Sequence, residues 1–125
     1  MSDTSPTIDG LPHGRFATPL RAQRITVYIG EDDKHGGLPL YEAIVRLARD
    51  RHMAGATVLR GPMGFGAASR IHTAKIVRLS QDLPVVVQIV DLPERVAGFL
   101  PTLAGMVGGG LVTVEDVGVA VYHAG

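Results

Sequence analysis

The chain has 125 residues, 46% apolar and 19% charged, with 12 basic residues against 12 acidic ones and no cysteine. Such a chain can bury the core of one compact domain, and it is not a disordered tail. The missing cysteines exclude disulfide scaffolds, thiolate metal sites and cysteine nucleophiles, and the neutral balance argues against a nucleic-acid coat. No apolar run of about 18 residues or signal-peptide pattern occurs, so a cytoplasmic location is expected.

Residues 1–22 are punctuated by Pro6, Gly10, Pro12, Gly14 and Pro19, with few bulky residues between them. They are expected as a flexible N-terminal extension to a domain spanning 23–125. From Arg24 to Ile29 the pattern alternates, with Ile25, Val27 and Ile29 on one face, which predicts a strand. The polar loop Gly30–Gly37 follows. Leu38-Pro39 opens a helix in which Leu40, Ile44 and Leu47 recur at helical spacing, and it is expected to run to about Met53, before Gly55.

Ala56–Arg60 reads as a short strand and Leu83–Val90 as a stronger one. Asp91 and Glu94 have the spacing of a capping box, which predicts Asp91 as the cap of a second helix. Leu92, Val96, Leu100, Leu103 and Val107 form its apolar stripe, Pro101 should kink it, and Gly108-Gly109-Gly110 stops it. Leu111–Tyr122 is extended. Its apolar phase changes between Val114 and Val117, so a bulge is expected at Glu115-Asp116.

Two strand–helix–strand units in tandem predict an α+β, ferredoxin-like βαββαβ fold, a four-stranded antiparallel sheet with both helices on one face. The strand Leu83–Val90 is apolar on both faces apart from Gln88. Helices cover only one of them, so a second copy of the chain is expected over the other. The connection 61–82 is far longer than the roughly 2–5 residues of a hairpin. It is glycine-rich at its start and basic later, through Arg70, Lys75 and Arg78 with His72 among them. Such a loop on a rigid sheet suits capture of an anion or a partner.

Several stretches, in order, resemble the PII signal-transduction proteins. Met53–Val58 followed by Gly64-Phe65-Gly66 is similar to their strand into the long T-loop, and Leu83–Val90 to the strand that leaves it. Gly108-Gly109-Gly110 with Leu111–Val117 is similar to their closing turn and last strand. The likeness covers about residues 24–123. The nearer match is a PII-like sub-group catalogued as domain of unknown function 190. It is carried by Tyr28–Glu31, Asp33-Lys34, Pro39–Ile44, Gly64–Ala67, Ile71–Ala74 and Asp82–Val86.

The resemblance implies a homotrimer without catalytic activity. It implies an adenine nucleotide as a reversible effector in clefts between subunits, with no tightly bound cofactor. The loop 61–82, a T-loop-like insertion between the second and third strands, would act on a target protein. Transporters and channels are among the targets of such proteins, which would bring a cytoplasmic protein to the membrane. The effector residues implied are Thr57, Gly64, Phe65, Gly66, Arg70, Val90, Gly108, Gly109 and Gly110. The partner-binding loop is implied to use Arg70, His72, Lys75 and Arg78.

Each assignment has a plainer counterpart. Gly108–Gly110 also serve as a helix stop, Thr57 and Val90 as ordinary strand residues, and Arg70, Lys75 and Arg78 as a solvated basic loop. The chain also departs from the PII pattern. Leu111 stands where PII proteins have a phosphate-binding lysine, Tyr122-His123-Ala124 where they have arginines, and residues 61–82 contain no tyrosine to be uridylylated.

A second reading is a metal- or anion-binding trimer resembling copper-tolerance proteins of the same fold. It rests on Glu31, Asp32, Asp33 and the scattered His13, His35, His52, His72 and His123. Their spacing matches no metal motif, so no metal residues are assigned. A nucleotide hydrolase is a third reading. Ser69 and Ser80 lack a recognisable base, and the glycine-rich loop does not end in the Gly-Lys-Ser/Thr of a Walker A motif.

Overall fold

A computed structural model describes residues 10–64, 72–73 and 82–124, with backbone only at 72–73. Its elements, in chain order, are β1 (Gly14–Gly30), β2 (Lys34–His35), β3 (Leu38–Pro39), α1 (Leu40–Asp50), β4 (Ala56–Arg60), β5 (Met63–Gly64), β6 (His72–Thr73), β7 (Pro84–Asp91), α2 (Pro93–Met106) and β8 (Leu111–Tyr122). The main sheet has the order β4-β7-β1-β8, all antiparallel, and β2 and β3 make a small hairpin. This is the expected ferredoxin-like α+β arrangement.

The core lies between the helices and one face of the sheet. Ile25, Val27 and Ile29 of β1 and Val85, Val87 and Ile89 of β7 meet Leu40, Ile44 and Ala48 of α1 and Val96, Phe99 and Leu103 of α2. The strand residues are the odd-numbered ones, so period-two alternation sends the even-numbered ones to the opposite face. Phe99, absent from the predicted apolar stripe, is buried, while Leu100 is only partly so.

Four local expectations are corrected. First, β1 begins at Gly14 rather than at Arg24, where the alternating pattern starts, because residues 14, 15 and 20–23 pair with β8. Second, the irregularity lies on β1, between Arg15 and Leu20, rather than at Glu115-Asp116. Glu115 and Asp116 keep register with Arg24 and Gln23. Pro19, which has no N–H for a ladder, occupies that irregular stretch.

Third, α1 ends at Asp50, not near Met53. The N–H of Met53 bonds to the carbonyl of Ala48 and that of His52 to Arg49, with His52 at φ 56°. This is a Schellman stop with histidine in the glycine position. Fourth, Asp91 does not cap α2. The cap position is Leu92, with no side-chain bond, and Asp91 is instead a buried acceptor at the end of β7. Its carboxylate accepts from the N–H groups of Leu92 (2.7 Å) and Ala54 (3.0 Å) and from Arg95 Nε (3.1 Å). Both η-bonds of Arg95 to the carbonyls of Arg51 and His52 are 2.7 Å, so one pair ties α2 to the end of α1.

Candidate functional site

The long connection leaves and re-enters the sheet at one end. Gly61 N–H donates to the Pro84 carbonyl at 2.8 Å, which closes the neck. A Cβ on Gly61 or Gly64 would lie 2.9 or 3.1 Å from Pro84 Cγ, so the entering chain folds closely round the proline ring. Within the connection Gly64 pairs with His72, and Met63 with Thr73.

The turn after β1 holds this neck from both sides. Glu31 N–H donates to the Leu83 carbonyl (2.8 Å) and Asp32 N–H to Asp82 Oδ1 (2.7 Å). On the other side, Arg60 Nε donates to Glu31 Oε2 at 3.0 Å, and an η-nitrogen of Arg60 donates to the Tyr41 hydroxyl at 3.1 Å. The guanidinium also lies 5.4 Å from the Tyr41 ring centre, within cation–π reach. Leu40 N–H, at the start of α1, donates to the Asp33 carbonyl at 2.7 Å. Strand end, neck and helix start therefore share one small turn.

Of the predicted effector residues, Thr57 is exposed and Val90 half-buried, and both lie on the face away from the helices. Thr57 pairs with Gln88, and Val90 with Arg24. Gly64 sits at the neck. Gly108, Gly109 and Gly110 follow α2 at the same end of the sheet, where Gly110 abuts the Tyr28 carbonyl. The sheet order puts the neck beside β4 and the triglycine turn beside β8, on opposite edges. Three strand spacings separate those edges, roughly 14 Å at about 4.8 Å each. Phe65, Gly66, Arg70, Lys75 and Arg78 lie outside the described residues, as does the side chain of His72.

The face without helices carries rows that cross all four strands. Leu59, Val86, Tyr28 and Leu111 are register partners in turn, and so are Thr57, Gln88, Thr26 and Thr113. In the first row Leu59, Tyr28 and Leu111 are 51%, 45% and 56% exposed. A continuous apolar row left this open is the mark of a contact surface.

Sequence reasoning missed the Arg60–Glu31–Tyr41 cluster. Its only trace is a cation as the last strand residue before Gly61, and strand-end arginines are common on solvated edges. Among the described residues no group of three or more His, Asp or Glu is arranged to hold a metal ion. No described helix is long and apolar enough to cross a membrane. A shallow hollow of about 200 Å³ lined by Arg51, Met53, Arg95, Gly98 and Phe99 lies at the other end of the molecule.

The model of the DUF190 family, described as Uncharacterized ACR, matches residues 22–119. The chain belongs to this family. Two UPF0166 proteins resemble it over 98 residues, 78% of this chain. One, from Aquifex aeolicus, is 35% identical with 92% of its length covered; the other, from Methanocaldococcus jannaschii, is 32% identical with 90% covered. Among solved structures, this DUF190 chain is similar to CPII, a nitrogen regulatory PII-like protein from Thiomonas intermedia K12. The TM-score is 0.54 at 17% identity, over 81% of this chain and 90% of that one. CPII has been solved with ADP and bicarbonate, and with ADP, AMP and bicarbonate. The DUF190 chain thus has the PII-like fold.

Proposed function

We propose that this DUF190 protein is a non-catalytic PII-like regulator that binds an adenine nucleotide reversibly between the subunits of a homotrimer. The observation that carries the reading is the position of the two glycine turns, at one end of the sheet but on opposite edges. A small ligand gripped by both needs the β4 edge of one copy beside the β8 edge of another. The exposed row Leu59–Val86–Tyr28–Leu111 gives those copies an apolar surface to share. The likeness to CPII, solved with ADP, AMP and bicarbonate, supplies the ligand class.

Thr57, Val90, Gly64 and the triglycine turn are the described residues proposed to surround the ligand, with Phe65, Gly66 and Arg70 completing the set. The effector favours one state of the connection 61–82 by binding it more tightly. Through Arg70, His72, Lys75 and Arg78 that connection meets a target protein, a transporter or channel at the cytoplasmic face of a membrane. Isothermal titration with ADP, AMP and bicarbonate, beside light-scattering mass determination, tests the reading. It expects one nucleotide per chain and a particle of three chains. A trimer that gives no heat with any nucleotide rejects the effector, and a monomer rejects the cleft.

A further inference from the structure

We propose that Arg60 provides the cationic contact to the anionic group of the effector, and that it does so by giving up Glu31. This rests on the reading above and adds a second cation beside Arg70, one that lies among the described residues. Leu111 and Tyr122-His123-Ala124 offer no lysine or arginine at the positions where PII proteins place them.

Among the described residues, Arg60 is the arginine at the neck. It directly precedes Gly61, whose N–H closes the neck on Pro84. Its side chain lies on the helix side of β4 beside Tyr41, across the sheet from Thr57, and is 52% exposed, so a ligand at the neck end of the sheet can reach it. A guanidinium that already donates to one carboxylate at 3.0 Å has the planar donor fork that phosphate or another carboxylate would use. Tyr41 steadies the group through its hydroxyl and ring, which leaves the exchange of acceptor as the main change.

Glu31 is the carboxylate that competes. Asp33 is already taken up by the N–H of Gly30 at 3.0 Å, and Asp82 by that of Asp32 at 2.7 Å. Of the contacts that join the turn to the neck, the Arg60–Glu31 pair is the one made between two side chains and partly open to water. It is therefore the least costly to break. Its opening removes the side-chain tie between the entering strand and that turn, while Gly61 stays bonded to Pro84 and the leaving side to the turn through Leu83 and Asp82. Effector binding is thereby coupled to the neck.

The test is titration of the intact protein with ADP, comparing wild type with Arg60→Gln, Arg60→Lys, Glu31→Gln and the distant control Arg49→Gln. Arg60→Gln is expected to weaken ADP roughly tenfold or more, the loss of one charge-assisted contact. Arg60→Lys falls between, because it keeps charge without the fork. Glu31→Gln removes the competitor and is expected to tighten ADP about two- to fivefold. A purely structural role for the pair predicts the opposite sign, since Glu31→Gln would then weaken binding or leave it unchanged. Wild-type affinity in both Arg60 variants, or equal weakening in Arg60→Gln and Glu31→Gln, overturns the proposal while the effector reading stands. Failure of wild type to bind ADP overturns the effector reading and this proposal with it.

Discussion

A Cβ placed on Gly110 would stand 2.6 Å from the carbonyl oxygen of Tyr28 and 3.0 Å from Ile29 Cγ2, and Gly110 has φ 154°. The last residue of the triglycine turn is therefore glycine for a packing reason, whatever its part in ligand binding. Gly108 and Gly109 have no atom within 4 Å of such a Cβ. Gly110→Ala is expected to cost roughly 1–3 kcal/mol, because a backbone oxygen cannot give way as a side chain can. Gly108→Ala and Gly109→Ala should stay within about 0.5 kcal/mol. Urea unfolding separates the three, and a loss of nucleotide affinity in either of the latter two then reports on ligand approach rather than on folding.

The stop of α1 yields a second prediction. His52 holds a left-handed conformation, which costs a side-chain-bearing residue roughly 1–2 kcal/mol, whereas glycine adopts it freely. Glycine loses some of that gain to the greater freedom of its unfolded chain, about 0.5–1 kcal/mol. His52→Gly should therefore raise stability by up to about 1 kcal/mol. His52→Val should lower it, since a β-branched residue is strained there. Thermal melts of the two variants, moving in opposite directions from wild type, check the geometry.

Asp91 yields a third. It is fully buried, and its partner Arg95 has a side chain only 13% exposed. Asp91→Ala removes the buried acceptor of two backbone N–H groups and of Arg95 Nε, at an expected cost of about 3–5 kcal/mol. Asp91→Asn keeps one oxygen and should cost less. By contrast Glu115→Gln, which breaks the exposed pair with Arg24, should change stability by less than about 1 kcal/mol. Denaturant unfolding that ranks all three variants alike would refute the distinction.

The strands and helices were legible because their signals are local and periodic. Ile25, Val27 and Ile29 alternate, and Leu40, Ile44 and Ala48 recur at helical spacing, so the core face follows from the sequence. The ends were less legible because tertiary contacts set them. His52 stops α1 three residues before the glycine that the sequence suggests, with Arg95 gripping the carbonyls of Arg51 and His52 from another helix. Asp91 and Glu94 have capping-box spacing, yet burial turns Asp91 toward Ala54. The first half of β1 reads as an extension because Pro19 and Gly14 break its pattern, and pairing with β8 carries the strand through. Motifs pointed to the glycines of the proposed site. They could not point to Arg60, whose meaning depends on Glu31 and Tyr41, which are brought to it by the sheet order and the start of α1.

The apolar row supports the final prediction. Leu59 on one edge and Leu111 on the other are both about half exposed, and each is joined to the other through Val86 and Tyr28. Burying a leucine side chain fully is worth about 1.5–3 kcal/mol, so the two half-exposed leucines lose a sizeable contribution when a charge replaces them. Leu59→Asp with Leu111→Asp should turn a three-chain particle into single chains at micromolar concentration. Neither side chain belongs to the buried core, so a single chain of the variant should keep wild-type circular dichroism. If the glycine turns of adjacent copies together form the ligand cleft, the same variant must also lose ADP binding although Gly64 and Gly108–Gly110 are untouched. Retained binding by a monomeric variant would place the ligand within one chain. Light scattering and titration on one sample therefore test the interface and the cleft together.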